Sequence, residues 1–239
     1  MNITLVGFMG TGKTTVGKRL AKQLGWRFVD VDACIQSRTR KPISQIFAEH
    51  GEAVFRRLEQ REIQRVVHGN EQVITTGGGA YVNPGNRRLL RATGPVICLT
   101  AVPKVILQRV RATIASRPML ARAPSTMGRI QRLMRARAPA YAKADLSLDT
   151  SGLTVEEVVG RIWLQIGPWI SKSWRYLLTH NESLAQRYAG KYIAVLDDRI
   201  VGVGNSHLEA YQAIRRRIPA ECEVGIYYLP LPVETAVVR

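Results

Sequence analysis

Apolar positions along the first two thirds of the chain alternate between short runs and helical spacings. Residues 2–7 form an apolar run that predicts a buried strand, and Val16, Leu20 and Leu24 then recur at helical spacing over 13–24. "RFVDV" predicts a short second strand closed by Asp30-Val31-Asp32, and 43–50 and 52–68 predict two helices parted by Gly51. "QVITTGGG" is a strand running into three glycines, and "PVICLT" at 95–100 is another, followed by a helix over about 103–112. After an Arg-rich irregular stretch come a helix over about 127–138, a fifth strand "LSLDT" and a closing helix over 154–166. Strands alternating with helices predict an α/β fold with a parallel sheet covered on both faces.

The rhythm changes near Gly167-Pro168. Residues 169–189, with Trp169, Trp174 and Tyr176, are expected to be helical in their later half. "KYIAVLDDRIVGVG" predicts a hairpin turning at Asp197-Asp198. "SHLEAYQAIRRRI" predicts a helix with Ser206 as cap and Glu209 three residues on, and "EVGIYYLPLP" a last strand ended by prolines. The expected division is a domain over 1–168 and a small α+β domain over 169–239.

Composition narrows the function classes. No apolar run reaches the roughly 18–20 residues that span a bilayer, and a strand starting within two residues of Met1 leaves no room for a signal peptide. Cys34, Cys98 and Cys222 are scattered without ligand spacing, which predicts a reduced, cytoplasmic protein with no zinc site. The formal charge is +17, and between Gln72 and Ala144 there are thirteen Lys or Arg and no acidic residue. Such a field draws in anions: nucleotides, carboxylated metabolites or nucleic acid. No zinc-finger pattern, homeodomain signature or alternating aromatic platform accompanies it, so nucleic acid is not the expected partner.

The chemistry starts at Gly7-x-x-x-x-Gly12-Lys13-Thr14, which fits the Walker A pattern in full, with a strand before and a helix after. In such a loop backbone N–H groups and the helix N-terminus cradle phosphate, the lysine reaches the β- and γ-phosphates, and the Ser/Thr hydroxyl ligates Mg²⁺. Gly10, Thr11, Gly12, Lys13, Thr14 and Thr15 are therefore the expected ATP contacts. Asp30 and Asp32 sit two apart at a strand end and so share a face, where one carboxylate could assist Mg²⁺ and the other accept a hydroxyl proton. Alternatively, Asp32 caps the helix that begins "ACIQ". One of Arg56 and Arg57 is expected to face the cleft. Gly77, Gly78 and Gly79 allow close backbone approach to a ligand and expose N–H donors. Arg117, in "SRPML", has a lid-like position, and Arg137 lies in "RAPAY". Converging arginines suit bidentate binding of a carboxylate, so the acceptor is expected to carry one.

These stretches in order, "GFMGTGKTTVGKRLA", "FVDVDACI", "ISQIFAEHGEAVFRRLE", "TTGGGA", "RPML" and "RAPAYAKAD", resemble the shikimate kinase family from residue 1 to about 166. The resemblance implies a P-loop kinase with a five-stranded parallel sheet in order 2-3-1-4-5, acting with ATP and Mg²⁺ on the 3-hydroxyl of shikimate. It implies Asp30 with Thr14 at the metal, and Asp32 as base or hydroxyl orienter. It puts Arg56 and Arg137 on the substrate carboxylate, with Gly77–Gly79 beneath. Phe47 and Phe55 become apolar walls, Glu59 a supporting acid, and Arg117 a lid residue touching phosphate and substrate. Arg109 or Arg111 lies near adenine. Met119 departs from the usual Arg-Pro-Leu-Leu lid as an apolar exchange. The tail, about 70 residues, resembles loosely a small accessory domain of uncharacterised prokaryotic proteins. It is expected to dock on the kinase domain or on a protein partner. The competing readings are a kinase for another small polyol or a nucleotide, and a basic nucleic-acid-binding or regulatory protein that kept an ATP site.

Overall fold

The computed structural model describes residues 1–114, 119–120, 125–166, 172–215, 217–219, 222 and 224–231. The chain forms two compact units, Met1–Gln165 and Ile166–Arg239.

In the first unit β1 (Asn2–Gly7) leads through the glycine-rich loop into α1 (Lys13–Leu24), whose Val16, Leu20 and Leu24 are buried as their spacing requires. Then come β2 (Arg27–Asp30), α2 (Val31–Thr39) and α3 (Ile43–Val66). α3 is kinked at Gly51, whose backbone is not helical (φ 76°, ψ 173°), so it consists of the two helices that the sequence predicts. β3 (Gln72–Thr75) is buried at all four positions, and β1 at all six, as central parallel strands covered on both faces must be.

A helix that the apolar pattern did not announce follows: α4 (Pro84–Ala92). Its signal is local. The Asn83 side chain accepts from the N–H groups of Gly85 and Asn86, and Pro84 fills the first helical position, where no N–H is needed. β4 (Val96–Thr100), α5 (Pro103–Val110), a 3₁₀ turn over Arg111–Thr113, α6 (Thr126–Tyr141), β5 (Leu146–Asp149) and α7 (Val155–Ile166) complete the unit. α6 runs three residues beyond its expected end, with Pro139 inside it. All strand pairs are parallel, in the order β2-β3-β1-β4-β5. One core cluster lies around Ile35, Ile46, Phe55, Ile74 and Tyr81, and another around Phe8, Ile106, Val110 and Ile130.

The second unit has α8 (Lys172–Thr179) and α9 (Asn181–Tyr188), then an antiparallel hairpin of β6 (Tyr192–Leu196) and β7 (Arg199–Gly204). Asp197 supplies a left-handed turn residue (φ 55°) between the two strands. α10 (His207–Ile214) and β8 (Val224–Tyr228) close it into a three-stranded sheet, β7-β6-β8. Ser206 caps α10 through the N–H of Glu209, but the Glu209 carboxylate accepts from Asn205 rather than from Ser206. Trp169 lies outside the described residues.

Candidate active site

The C-terminal ends of β1, β2 and β3 deliver their loops to one cavity of about 470 Å³. Its lining runs from Gly10 and Gly12–Thr15 on the loop, through Asp30 and Asp32, to Phe47, Phe55, Arg56 and Glu59 on α3, then Gly77–Gly79 and Arg137. Residues spread over 128 positions of sequence thus meet because parallel strands end side by side.

At the phosphate end, Gly12 has φ 91° and begins α1 with no side-chain cap and no acid in the first turn. The first-turn N–H groups are left for an anion, and the helix's positive end points the same way. Lys13 Nζ donates to the carbonyl of Phe8 at 2.9 Å, folded back along the loop. Thr11 is buried and does not line the cavity; its hydroxyl donates to the same Phe8 carbonyl at 2.8 Å and braces the turn. Thr14 Oγ1 donates to Asp30 Oδ2 at 3.0 Å, which pairs two hard oxygen donors at the mouth of the loop. Mg²⁺ is commonly held by one or two such oxygens together with substrate phosphates, so the donor set fits that ion. Arg109 reaches from α5 to the Gly10 carbonyl (3.3 Å) and to Thr150 Oγ1 and carbonyl (3.0 and 2.7 Å). Arg111, in the 3₁₀ turn, is exposed and does not line the cavity. Arg117 lies outside the described residues.

The aspartate pair corrects the strand-face reading. β2 ends at Asp30, whose Oδ1 accepts from the N–H groups of Asp32 (3.1 Å) and Ala33 (3.2 Å). Asp30, not Asp32, is the N-cap, and Asp32 stands in the first turn of α2. Capping wins because Asp30 at the strand end can accept two orphan N–H groups, whereas another strand residue would leave them bare. Both carboxylates still line the cavity.

The triple glycine proves to be a matter of space. None of Gly77, Gly78 and Gly79 has a left-handed backbone. A Cβ on Gly77 would stand 2.8 Å from Asp32 Oδ1 and 2.9 Å from Glu59 Oε1. One on Gly78 would stand 2.9 Å from Arg137 Nη1, and one on Gly79 2.5 Å from Arg56 Nη2. The missing side chains are what let four charged groups close on this loop.

Arg56 faces the cavity while Arg57 is exposed. Arg56 Nη1 donates to both oxygens of Glu59 (3.1 and 2.9 Å), and its Nε and Nη2 donate to Glu52 Oε1 (3.2 and 2.9 Å). Glu52 was not anticipated; its i,i+4 spacing to Arg56 on α3 is the signal that marks it. Glu59 is buried, and burial pushes its carboxyl up to about 7, with Asp32 adding to the rise and Arg56 and Arg137 opposing it. Phe47 and Phe55 stand with ring centroids 4.9 Å apart and make an apolar wall. Met119 also lines the cavity.

Arg137 is 6% exposed, and its guanidinium lies over the Phe8 ring at 5.3 Å. Its Nη1 has no hydrogen-bond partner among the described residues, a costly state for a buried cation unless a ligand supplies the acceptor. Among the described residues, three cations (Lys13, Arg56, Arg137) and three carboxylates (Asp30, Asp32, Glu59) thus share one cleft. The arrangement suits a phosphate at one end and an anionic, hydroxyl-bearing acceptor at the other.

Comparison with known proteins agrees over this unit. The profile of the family described as shikimate kinase matches residues 9–167, and that of a family of unknown function (DUF5678) matches residues 183–232. The shikimate kinase of Thermodesulfovibrio yellowstonii is 45% identical over 161 residues, covering 67% of this chain and 92% of its own. That of Geobacter sulfurreducens is 48% identical over 161 residues, covering 67% and 88%. Among solved structures, shikimate kinase from Acinetobacter baumannii in complex with shikimate superposes with a TM-score of 0.66 at 34% identity, over 69% of this chain and 92% of that one. The Bacteroides thetaiotaomicron enzyme gives 0.63 at 33% identity, over 70% and 98%. With its P-loop sheet order, its cleft and these relatives in agreement, the chain belongs to the shikimate kinase family.

Proposed function

We propose that the chain transfers the terminal phosphoryl group of ATP to the 3-hydroxyl of shikimate, giving shikimate 3-phosphate and ADP. The observation that carries this is the convergence of Arg56, Arg137 and the Gly77–Gly79 loop on the same cavity that the phosphate loop lines. Arg56 already meets Glu59 and Glu52, but Arg137 Nη1 has no acceptor among the described residues; a ring carboxylate supplies a charged one and a neutral polyol does not.

Each residue has a role. Lys13 leaves the Phe8 carbonyl and turns to the β- and γ-phosphates. Thr14 and Asp30 hold Mg²⁺, which when bound offsets charge on the phosphate oxygens. Gly10, Gly12 and Thr15 line the phosphate path, and Arg109 braces the loop from the adenine side. Asp32 orients the acceptor hydroxyl and takes its proton as the O–P bond forms. Arg56 and Arg137 grip the carboxylate, with Glu59 fixing Arg56. Phe47 and Phe55 bound the ring. Arg117 is assigned the lid contact to the moving phosphoryl group. Stabilising charge where it develops, in a site that excludes water, is the main source of rate for such transfers.

The same reading takes residues 1–168 as the catalytic domain. It takes 169–239 as an accessory domain that docks on it or on a protein partner. It places the reaction in the cytoplasm, in keeping with three free cysteines; no helix among the described residues is long and apolar enough to cross a membrane. The test is an acceptor panel of shikimate, gluconate and nucleoside monophosphates, with the product identified by phosphorus NMR. Phosphorylation of shikimate alone, at one hydroxyl, is expected; preferential turnover of another acceptor would overturn the assignment.

A further inference from the structure

Four residues after Arg137, one helical turn along α6, stands Tyr141. Its hydroxyl donates a short hydrogen bond, 2.5 Å, to the carbonyl of Gly78. Its ring packs against both core clusters of the first unit, the one around Phe55 and Tyr81 and the one around Phe8 and Ile130, so the ring cannot swing away. Burial pushes the phenol up to about 12, and the Arg137 guanidinium beside it pulls the other way, both as a charge and as a hydrogen-bond donor. The hydroxyl therefore stays protonated and keeps donating to Gly78. Arg137 Nη1 in turn lies where a side chain on Gly78 would be. A single phenol thus touches both the middle glycine of the loop and the arginine that closes on it.

We propose that Tyr141 is the positioning residue of the acceptor's carboxylate pocket. It sets the Gly78 peptide through the carbonyl and holds Arg137 against it, without touching substrate itself. This rests on the reading that Arg137 and the glycine loop bind the acceptor. An unanchored Gly78 carbonyl can rotate, taking the neighbouring peptide N–H groups out of line with the carboxylate. Arg137 loses its polar neighbour on the helix side at the same time. Neither contact is made by α1, whose first turn faces the phosphates, although the phosphate loop lies close by: a Cβ on Gly78 would stand 3.3 Å from the Gly7 carbonyl oxygen, and Arg137 lies over Phe8.

The test is Tyr141→Phe in the full chain, which keeps the ring and its packing and removes only the hydroxyl. Initial rates are measured with shikimate and with ATP varied in turn, shikimate binding is followed by calorimetry without nucleotide, and Arg137→Ala is run beside it. The expected result is a rise of about tenfold in the shikimate KM and Kd, the scale of one hydrogen bond to a buried group. ATP KM and kcat should stay within twofold. An unchanged shikimate KM in Tyr141→Phe, while Arg137→Ala raises it, overturns the proposal and leaves the assigned reaction standing. Unchanged values in both variants overturn the reading beneath it as well. Equal rises in both KM values, or lost cooperative unfolding, identify a merely structural tyrosine and also overturn the proposal.

Discussion

Arg56 Nη1 donates to both carboxylate oxygens of Glu59, while Nε and Nη2 of the same guanidinium are held by Glu52. The residue assigned to a substrate carboxylate is thus already in the grip of two protein carboxylates. They are not equivalent. The Glu59 side chain is 1% exposed and Glu52 is 50% exposed. Removing the buried partner strands a charge, whereas the half-exposed one exchanges with solvent at little cost. The proposed function therefore makes Glu59 the fixed anchor and Glu52 the group that an incoming carboxylate would displace.

A pH dependence follows. Burial raises the Glu59 carboxyl from the ordinary 4.5 to about 7. The folded chain therefore holds a proton that the unfolded chain releases between these values. The stability due to this residue falls as pH rises through that window. In activity, the carboxyl gains its proton below about 7 and Arg56 loses a charged acceptor. The shikimate KM is expected to rise between pH 8 and pH 6 while the ATP KM stays flat. Glu59→Gln should flatten the KM profile and remove this residue's part of the pH dependence of thermal unfolding. A shikimate KM with the same slope in wild type and variant contradicts the assignment.

Arg137→Ala removes a buried guanidinium whose Nη1 has no partner among the described residues. A hydrogen bond to a charged group contributes ~1.5–3 kcal/mol, so the shikimate KM should rise roughly 10–100-fold. The ATP KM should change little. Steady-state kinetics with each substrate varied decides it, and equal effects on the two KM values would sink the assigned role.

How much of this could be read from the sequence depended on where the determining contacts lie. β1, α1 and the phosphate loop were legible because strand, turn glycines, lysine and helix are contiguous and each constrains the next. The sheet order came only through family resemblance, since pairing β1 with β3 and β4 is a long-range choice that local pattern does not encode. α4 was missed because it is short and Arg-rich, and its only strong signals are Asn83 and Pro84. Asp30 and Asp32 were placed correctly in the cleft for the wrong geometric reason. Strand and helix N-cap look alike over three residues until one knows which N–H groups need an acceptor. The sequence marks the glycine triplet as a place of close approach to a ligand, but not the charged side chains that crowd it, because these come from positions 32, 56, 59 and 137.

Crowding at Gly79 gives a sharp test. An added methyl would lie 2.5–2.7 Å from three atoms of the Arg56 guanidinium, far inside contact distance. Gly79→Ala should push Arg56 off Glu59 and raise the shikimate KM at least tenfold, with ATP binding by calorimetry kept within twofold. Normal shikimate kinetics in this variant would show that Arg56 is free to move without loss.

Asp30 does two jobs that substitution can separate. Its Oδ1 caps α2 and its Oδ2 accepts from Thr14. Asp30→Asn keeps an acceptor for the cap but loses the charge. It should leave thermal stability nearly unchanged and raise the Mg²⁺ concentration for half-maximal activity by about tenfold. Asp30→Ala should add a cap loss of about 1 kcal/mol, read by denaturant unfolding. A Mg²⁺ requirement equal to wild type in Asp30→Asn would remove Asp30 from the metal site.

The central claim is that this cleft joins a nucleotide phosphate to a carboxylated hydroxy ring. The most direct measurement is coupled ADP release by the full chain with MgATP, in the presence and absence of shikimate. Saturable, shikimate-dependent ADP release well above the ATP-only rate, with one shikimate phosphorylated per ADP formed, is the result the account predicts. ADP release that is indifferent to shikimate, or no release at all from a folded, ATP-binding chain, would contradict it.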